Sequence, residues 1–427
     1  MNYQESIDYI HNMYDRGSKY GLSRTYELLE LLGNPQDKLR FVHVAGTNGK
    51  GSTAAMTASI LKAAGYRVGL YVSPYVLRFN ERIQFDGKQI SDEELSEVVS
   101  YIRPKAESMV NLPTEFELIT ALGMEYFVRK SCDIVVLEVG LGGELDSTNV
   151  IKTPDVAVIC AMGYDHTHIL GKTMTEIATA KAGIIKQGGR VVSYGNEPEA
   201  NTVIEEKCRK VGASLSYAKF DELKLGCYTL DGQRFDYKGY KDIFLPLVGE
   251  YQPRNAAVVI ETIEQLRLAG WSISDIDVYK GLASTVWPAR FEVLSHKPVF
   301  IVDGGHNPHG IHGTVASLER LFPNVKFIFI TGVMKDKDSN TMLNELVPLA
   351  QKFYTVRPDN WRAMPQDELA EHIKALGANA IPMNSIDDAV KAAFADAGHD
   401  SVICALGSLY MAGDVRECVR RYQNAHA

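Results

Sequence analysis

Short runs of β-branched and other apolar residues alternate with helix-length segments through most of the chain, and nothing else in it restricts the fold as strongly. A short, continuously apolar run bounded by turn residues is a strand buried on both faces, and a helical segment between two such runs carries the chain back to start a parallel neighbour. Strands are predicted over 41–45, 68–72, 134–138, 156–160 and 190–194, with helices over 52–64, 92–109, 115–129, 174–184, 199–211 and 253–268. Ser91 and Glu94 give the capping-box spacing ahead of the second of these helices. Asp86-Gly87, between RIQF and KQI, reads as a tight hairpin turn. The tyrosine- and glycine-rich stretch 214–246 reads as a small antiparallel insertion. The pattern breaks at WPARFEVLSHKP (287–298) and then restarts, with strands at 299–303, 325–331, 353–356 and 402–406. The expectation is an α/β protein of two domains. A P-loop-type, doubly wound domain would occupy 1–296, with a linker at 287–296, and a smaller Rossmann-like domain 297–427.

Composition narrows the function. Of 427 residues, 45% are hydrophobic and 23% charged, the balance of a globular chain able to bury a core without staples. No apolar run is long enough to cross a membrane, and the N-terminus lacks the basic and apolar regions of a secretory signal. The net charge is −8 with no dense Lys/Arg cluster, which argues against a nucleic-acid partner. Cys132, Cys160, Cys208, Cys227, Cys404 and Cys418 are scattered without a C-x-x-C pair, which points to reduced thiols in a cytoplasm. Any anion bound by so acidic a chain must be held by local features.

The strongest such feature is FVHVAGTNGKGST (41–53), a strand, a glycine-rich turn and a helix start. Gly46, Gly49 and Gly51 let backbone N–H groups approach phosphate oxygens. The helix N-terminus adds partial positive charge. Lys50 supplies a full charge, and Ser52 or Thr53 a hydroxyl suited to Mg²⁺. The match to G-x-x-x-x-G-K-[ST] is imperfect, because Gly51 separates the lysine from the hydroxyl. The bland alternative is a glycine-rich turn that binds nothing.

AGTNGKGST resembles the phosphate loop of the Mur ligase superfamily, and within it the folylpolyglutamate synthase and dihydrofolate synthase branch. The resemblance continues in order through SPYVLRFNERI (73–83), EVGLGGELDSTN (138–149), YDHTHILGKTMTEIATAKAGIIK (164–186), VGEYQPRNA (248–256), WPARFE (287–292), DGGHNPHG (303–310), GVMKDKD (332–338) and GSLYMAGDVR (407–416). It implies an ATP- and Mg²⁺-dependent ligase, a cytoplasmic monomer, that joins L-glutamate to a reduced folate through an acyl phosphate. A separate N-terminal substrate domain, as in cell-wall Mur ligases, does not fit in the residues before Gly46. A catalytically silent nucleotide-binding protein is the alternative from another class, and the retained motifs argue against it.

The resemblance also implies roles residue by residue. Gly46, Thr47, Asn48, Gly49, Lys50, Gly51 and Ser52 cradle the triphosphate, with Asn255, Arg290 and Asp303 also contacting ATP. Ser73, Glu138 and His166 coordinate Mg²⁺. Lys181 is carbamylated, which removes the repulsion a cationic lysine would suffer beside a divalent ion. Phe116, Glu117, Asp146 and Thr148 meet the folate, and His306 and Ser408 serve the glutamate and reacting carboxylate. Lys50, Lys181, Asp303 and His306 form the catalytic set. Three positions depart from the family pattern: Tyr75 and Glu144 where dihydropteroate users commonly carry His and Arg, and Ala180 where Glu usually precedes the modified lysine.

Overall fold

FVHVA forms the strand Phe41–Ala45 (β1), and all five residues are buried, as a strand covered on both faces requires. The computed structural model describes residues 1–13 and 21–426. Around β1 a sheet is built from Val68–Tyr71 (β2), Ile83–Phe85 (β3), Lys88–Gln89 (β4), Ile134–Glu138 (β5), Val156–Ile159 (β6), Arg190–Ser193 (β7) and Ser214–Tyr217 (β8). Its order is β4-β3-β2-β5-β1-β6-β7-β8. The pairings are parallel except those of β3, which runs against β2 and β4 and joins β4 in a hairpin whose turn residues Asp86 and Gly87 both have positive φ, the geometry Asp-Gly favours.

Helices cover both faces of this sheet. One core joins Phe41, Val135 and Leu137 to Leu118 and Leu122 of the helix Glu115–Arg129. The other joins Ala45, Ala157 and Ile159 to Ile177 and Ile204. After β1 the chain turns toward β2, and after β5 it turns the other way to β6. The C-terminal ends of β1 and β6 therefore lie at a topological switch point, where open α/β sheets hold their ligands.

The antiparallel sheet that the sequence suggested consists of Leu223–Thr229 (β9), Gly232–Tyr237 (β10) and Tyr240–Leu245 (β11). It starts later than expected, because Ser214–Tyr217 pairs in parallel with β7 and closes the large sheet instead. A third sheet comprises Glu292–His296 (β12), Val299–Val302 (β13), Phe327–Thr331 (β14), Ala350–Thr355 (β15), Ala380–Pro382 (β16) and Val402–Leu406 (β17), in the order β12-β13-β17-β14-β15-β16. Part of the segment read as linker is thus an edge strand, β12, antiparallel to β13. The chain divides into two compact units, Met1–Leu223 with Arg254–Thr285, and Lys224–Pro253 with Val286–Ala427. Among the described residues no helix is long and apolar enough to cross a membrane.

Candidate functional site

The turn after β1 is shaped by two glycines. Gly46 has φ +149°, and a Cβ there would come within 2.6 Å of Cys160 Cβ at the end of β6. Gly49 caps the helix Lys50–Ala63 with φ +81°, and a Cβ there would lie 2.7 Å from Asn255 Oδ1. An L side chain fits neither place, so backbone occupies it. The N–H groups of Thr47 and Asn48 both donate to Ala161 O, at 2.9 and 3.1 Å. The Thr47 hydroxyl donates to Gly163 O at 3.0 Å. These two residues therefore brace the turn against the loop after β6. The helix's own first turn, with Lys50, Gly51 and buried Ser52, brings the N-terminal partial positive charge that suits a phosphate. Lys50 Nζ donates to Thr47 O at 3.2 Å, which keeps its ammonium at the turn.

Lys181 comes to the same place from the last turn of the helix Met174–Ala182. It is only 5% exposed, and its Nζ donates to Gly46 O at 2.7 Å. Burial, aided by the neighbouring Lys50 charge and opposed by Asp165, brings this lysine down to about 7. An amine so placed is available in its neutral, nucleophilic form near neutral pH.

Glu138 ends β5 beside this turn: Val44 pairs with Glu138, and Val139 N–H donates to Val44 O at 2.9 Å. Its carboxylate is buried and accepts from Ser73 N–H at 3.2 Å, so Ser73 and Glu138 are neighbours. His166 follows β6 in the left-handed region (φ 49°), and its N–H donates to Asp165 Oδ1 at 2.8 Å. Among the described residues no group of three or more His, Cys, Asp or Glu side chains is arranged to hold a metal. One buried carboxylate with a serine beside it suits Mg²⁺, which keeps waters and substrate phosphates as ligands and needs no all-protein cage.

The residues expected to meet folate separate into two groups. Phe116 packs on Gly140, where a Cβ would meet its ring at 2.5 Å, and lies edge-on to Tyr71 at 6.2 Å. Asp146 and Thr148 are buried in the turn after β5. Asp146 Oδ2 accepts from Leu141 N–H at 2.8 Å, and Oδ1 from Thr148 N–H at 3.0 Å and from the Thr148 hydroxyl. Burial raises this carboxyl above its ordinary value, and the Thr148 bond opposes the shift. Glu117 differs. Arg24 Nε and Nη2 donate to its two oxygens at 2.9 and 2.8 Å, and Thr114 N–H donates to Oε2 at 2.7 Å, closing a capping box. Its carboxylate is committed to holding two helices together.

In the second unit Asp303 follows β13 and is equally committed. Its Oδ1 accepts from Gly305 N–H at 2.8 Å and Thr314 Oγ1 at 2.7 Å. Its Oδ2 accepts from Phe291 N–H at 2.7 Å and Tyr251 Oη at 3.3 Å. Arg290 lies between Ala289 (φ 54°) and Phe291 (φ 49°), two non-glycine residues in the left-handed region. Asp303 on Phe291 and Gly304 N–H on Ala289 O (2.8 Å) hold that conformation. Asp303 thereby orders the backbone that presents Arg290. His306 Nδ1 is 2.8 Å from Gly304 O. Ser408, after β17, is buried and accepts from Tyr410 N–H at 3.2 Å. The adjoining Gly407 N–H donates to Gly305 O at 3.0 Å, which joins the His306 and Ser408 turns.

Sequence reasoning missed Arg24, Tyr251 and His43. The last had a local signal, a lone polar side chain in an otherwise apolar strand.

Comparison with known proteins identifies the family. The Mur ligase middle domain model matches residues 44–263, and the Mur ligase glutamate ligase domain model matches residues 289–409. The chain is 39% identical over 438 residues to a folylpolyglutamate synthase of Lacticaseibacillus casei, covering 98% of each chain. It is 36% identical over 431 residues to a dihydrofolate synthase/folylpolyglutamate synthase of Bacillus subtilis, covering 97% of this chain and 98% of the relative. The solved structure of Mycobacterium tuberculosis folylpolyglutamate synthase complexed with ADP and AMPPCP matches with a TM-score of 0.88 and 28% identity, over 98% of this chain and 99% of that one. The chain therefore belongs to the folylpolyglutamate synthase and dihydrofolate synthase family of Mur ligases.

Proposed function

We propose that this protein joins L-glutamate to the γ-carboxylate of a reduced folate at the expense of ATP. The observation that carries the reading is the convergence of Lys50 and buried Lys181 on the glycine turn after β1. The folate carboxylate attacks the γ-phosphorus, ADP leaves, and an acyl phosphate forms. The glutamate amine then attacks the acyl carbon, phosphate leaves and the amine loses a proton. Both steps are problems of positioning and charge neutralisation.

Lys50 and the first helical turn hold the triphosphate, with Asn255 behind Gly49. Arg290 adds a planar, fixed charge for phosphate oxygens. Ser73, Glu138 and His166 would hold Mg²⁺, which supplies charge neutralisation at the phosphates when bound. The neutral amine of Lys181 takes up CO₂ and loses a proton, and the resulting carbamate is an anion where an ammonium would repel the ion. Phe116 stacks on the pterin while Asp146 and Thr148 bond its polar edge. His306 and Ser408 serve the glutamate. A monomer in the cytoplasm is the proposed setting, in keeping with six cysteines that form no disulfide.

A reduced folate as main acceptor is supported by the relative named for polyglutamylation alone, which is the more similar of the two. Tyr75 and Glu144 point the same way. Glu144 is exposed with its N–H on Ala180 O at 2.8 Å, so it adds negative charge at the end of the Lys181 helix. ADP release tests the function: it should require a reduced folate and glutamate together, and release that ignores either substrate refutes it. In the same assay dihydropteroate should give a much lower kcat/KM than tetrahydrofolate, and equal values would mean a bifunctional enzyme.

A further inference from the structure

We infer that His43 is a positioning residue for the folate site, orienting the Asp146 carboxylate through the Thr148 hydroxyl. The inference rests on the reading of Asp146 as a folate contact. His43 is the only polar side chain in β1 and is fully buried. An imidazole at the centre of a sheet is costly unless it is neutral and bonded. Burial, aided by the Lys186 charge, lowers His43 to about 3, so the ring is neutral at any working pH. Its Nε2 lies 2.9 Å from Thr148 Oγ1, 105 residues along the chain.

The direction of the bonds follows from donor counting. A neutral imidazole has one N–H and one bare nitrogen, a hydroxyl has one hydrogen, and an ionised carboxylate only accepts. Thr148 Oγ1 must then donate to Asp146 Oδ1, and to accept in its turn it needs the proton of His43 on Nε2. That leaves Nδ1 bare, and it is among the buried side-chain atoms with no hydrogen-bond partner. With Thr148 N–H also on Oδ1, that oxygen is saturated, and Leu141 N–H holds Oδ2 from the other end of the turn. The carboxylate is thus fixed in plane as an acceptor. One N–H of a 2-amino-4-oxopyrimidine edge is the complement of the acceptor position left on Oδ2. If the polarity reversed, Asp146 would carry a proton and His43 would hold an N–H at Nδ1 with no acceptor.

A merely structural cross-link between β1 and the 146–150 turn would affect the phosphate loop, which continues β1, as much as the folate site. The test separates the two on the full-length enzyme, with folate affinity read by calorimetry and Michaelis constants for folate and ATP read in parallel. His43→Phe keeps a ring and removes the donor. It should weaken folate binding by about tenfold or more, as a lost bond to a charged network does, while the ATP constant moves less than about twofold. His43→Gln, which keeps an amide N–H, should recover most of the loss. Thr148→Val deletes the hydroxyl and carries the same prediction should His43→Phe not fold. Combining the two changes should cost little more than either alone, because they break one chain of bonds. Folate affinity unchanged in His43→Phe while Asp146→Asn weakens it overturns the relay alone. An Asp146→Asn enzyme with normal folate affinity overturns the folate assignment of Asp146 and the relay with it. Folate and ATP constants rising together reduce His43 to a structural role.

Discussion

Lys181→Met should make the protein inactive and, near neutral pH, more stable. The folded environment brings Lys181 from its ordinary 10.5 to about 7, chiefly by burial. Because the folded value lies below the unfolded one, the unfolded chain binds the extra proton between pH 7 and 10.5. Wild-type stability therefore rises with pH across that window, and the full penalty stands below it. At about 1.4 kcal/mol per pKa unit, the penalty is about 4 kcal/mol at pH 7 and about 2 kcal/mol at pH 9. Methionine removes it at nearly constant volume but leaves Gly46 O without its donor, a loss of about 1–2 kcal/mol. The variant should then be about 2–3 kcal/mol more stable than wild type at pH 7 and nearly equal to it at pH 9. Urea midpoints at the two pH values, on unmodified protein in CO₂-free buffer, measure the difference. A variant less stable than wild type at pH 7, or a gap that does not narrow by pH 9, would refute this account of the buried amine. Partial rescue of the companion Lys181→Ala variant by acetate is the matching expectation for activity, since a small carboxylate replaces the anion of the carbamate.

Lys50→Ala should abolish ADP formation with an unchanged melting curve, because Lys50 lies at the turn and not in a core; near-normal turnover would remove it from the phosphate site. His306→Ala should raise the Michaelis constant for glutamate and slow amide formation while nucleotide affinity stays within about twofold, and a fall in ATP affinity with an unaltered glutamate constant would reverse the assignment.

What could be read in advance follows from the range of the forces involved. Strands β1, β5 and β17 are predominantly apolar and wholly buried runs, broken only by His43 and by Glu138 at the end of β5, and their bounds agree with the pattern to the residue. The helix after β1 begins at Lys50, two residues before the expected start, because Gly49 caps it in the left-handed region that only tertiary packing reveals. β8 (SLSY) and β12 (EVLSH) are half polar, and each lies at or near a sheet edge where one side needs no apolar partner. β8 therefore reads as part of the antiparallel insertion and β12 as part of the linker, since neither half-polar run carries a pattern that assigns it to its sheet.

The site residues show the same division more sharply in their carboxylates. Glu138, Glu117 and Asp303 are all buried acids near the ends of elements, and the family resemblance assigns each to a ligand. Their surroundings differ in how many donors the fold brings to them. Glu117 meets Arg24 from 93 residues away, and Asp303 meets Tyr251 from 52 residues away and Phe291 from 12. A buried carboxylate that already holds a bidentate guanidinium, or four donors, gains little from a substrate and loses much if moved. Such an acid sets the position of its neighbours: Glu117 fixes the start of the helix carrying Phe116, and Asp303 fixes the turn carrying Arg290. Lys181 is the converse case. On composition alone it would be a solvated surface lysine, yet the fold buries the amine against Gly46 O beside a second lysine. Stability alone does not favour that placement, and the chemistry of the phosphate site does.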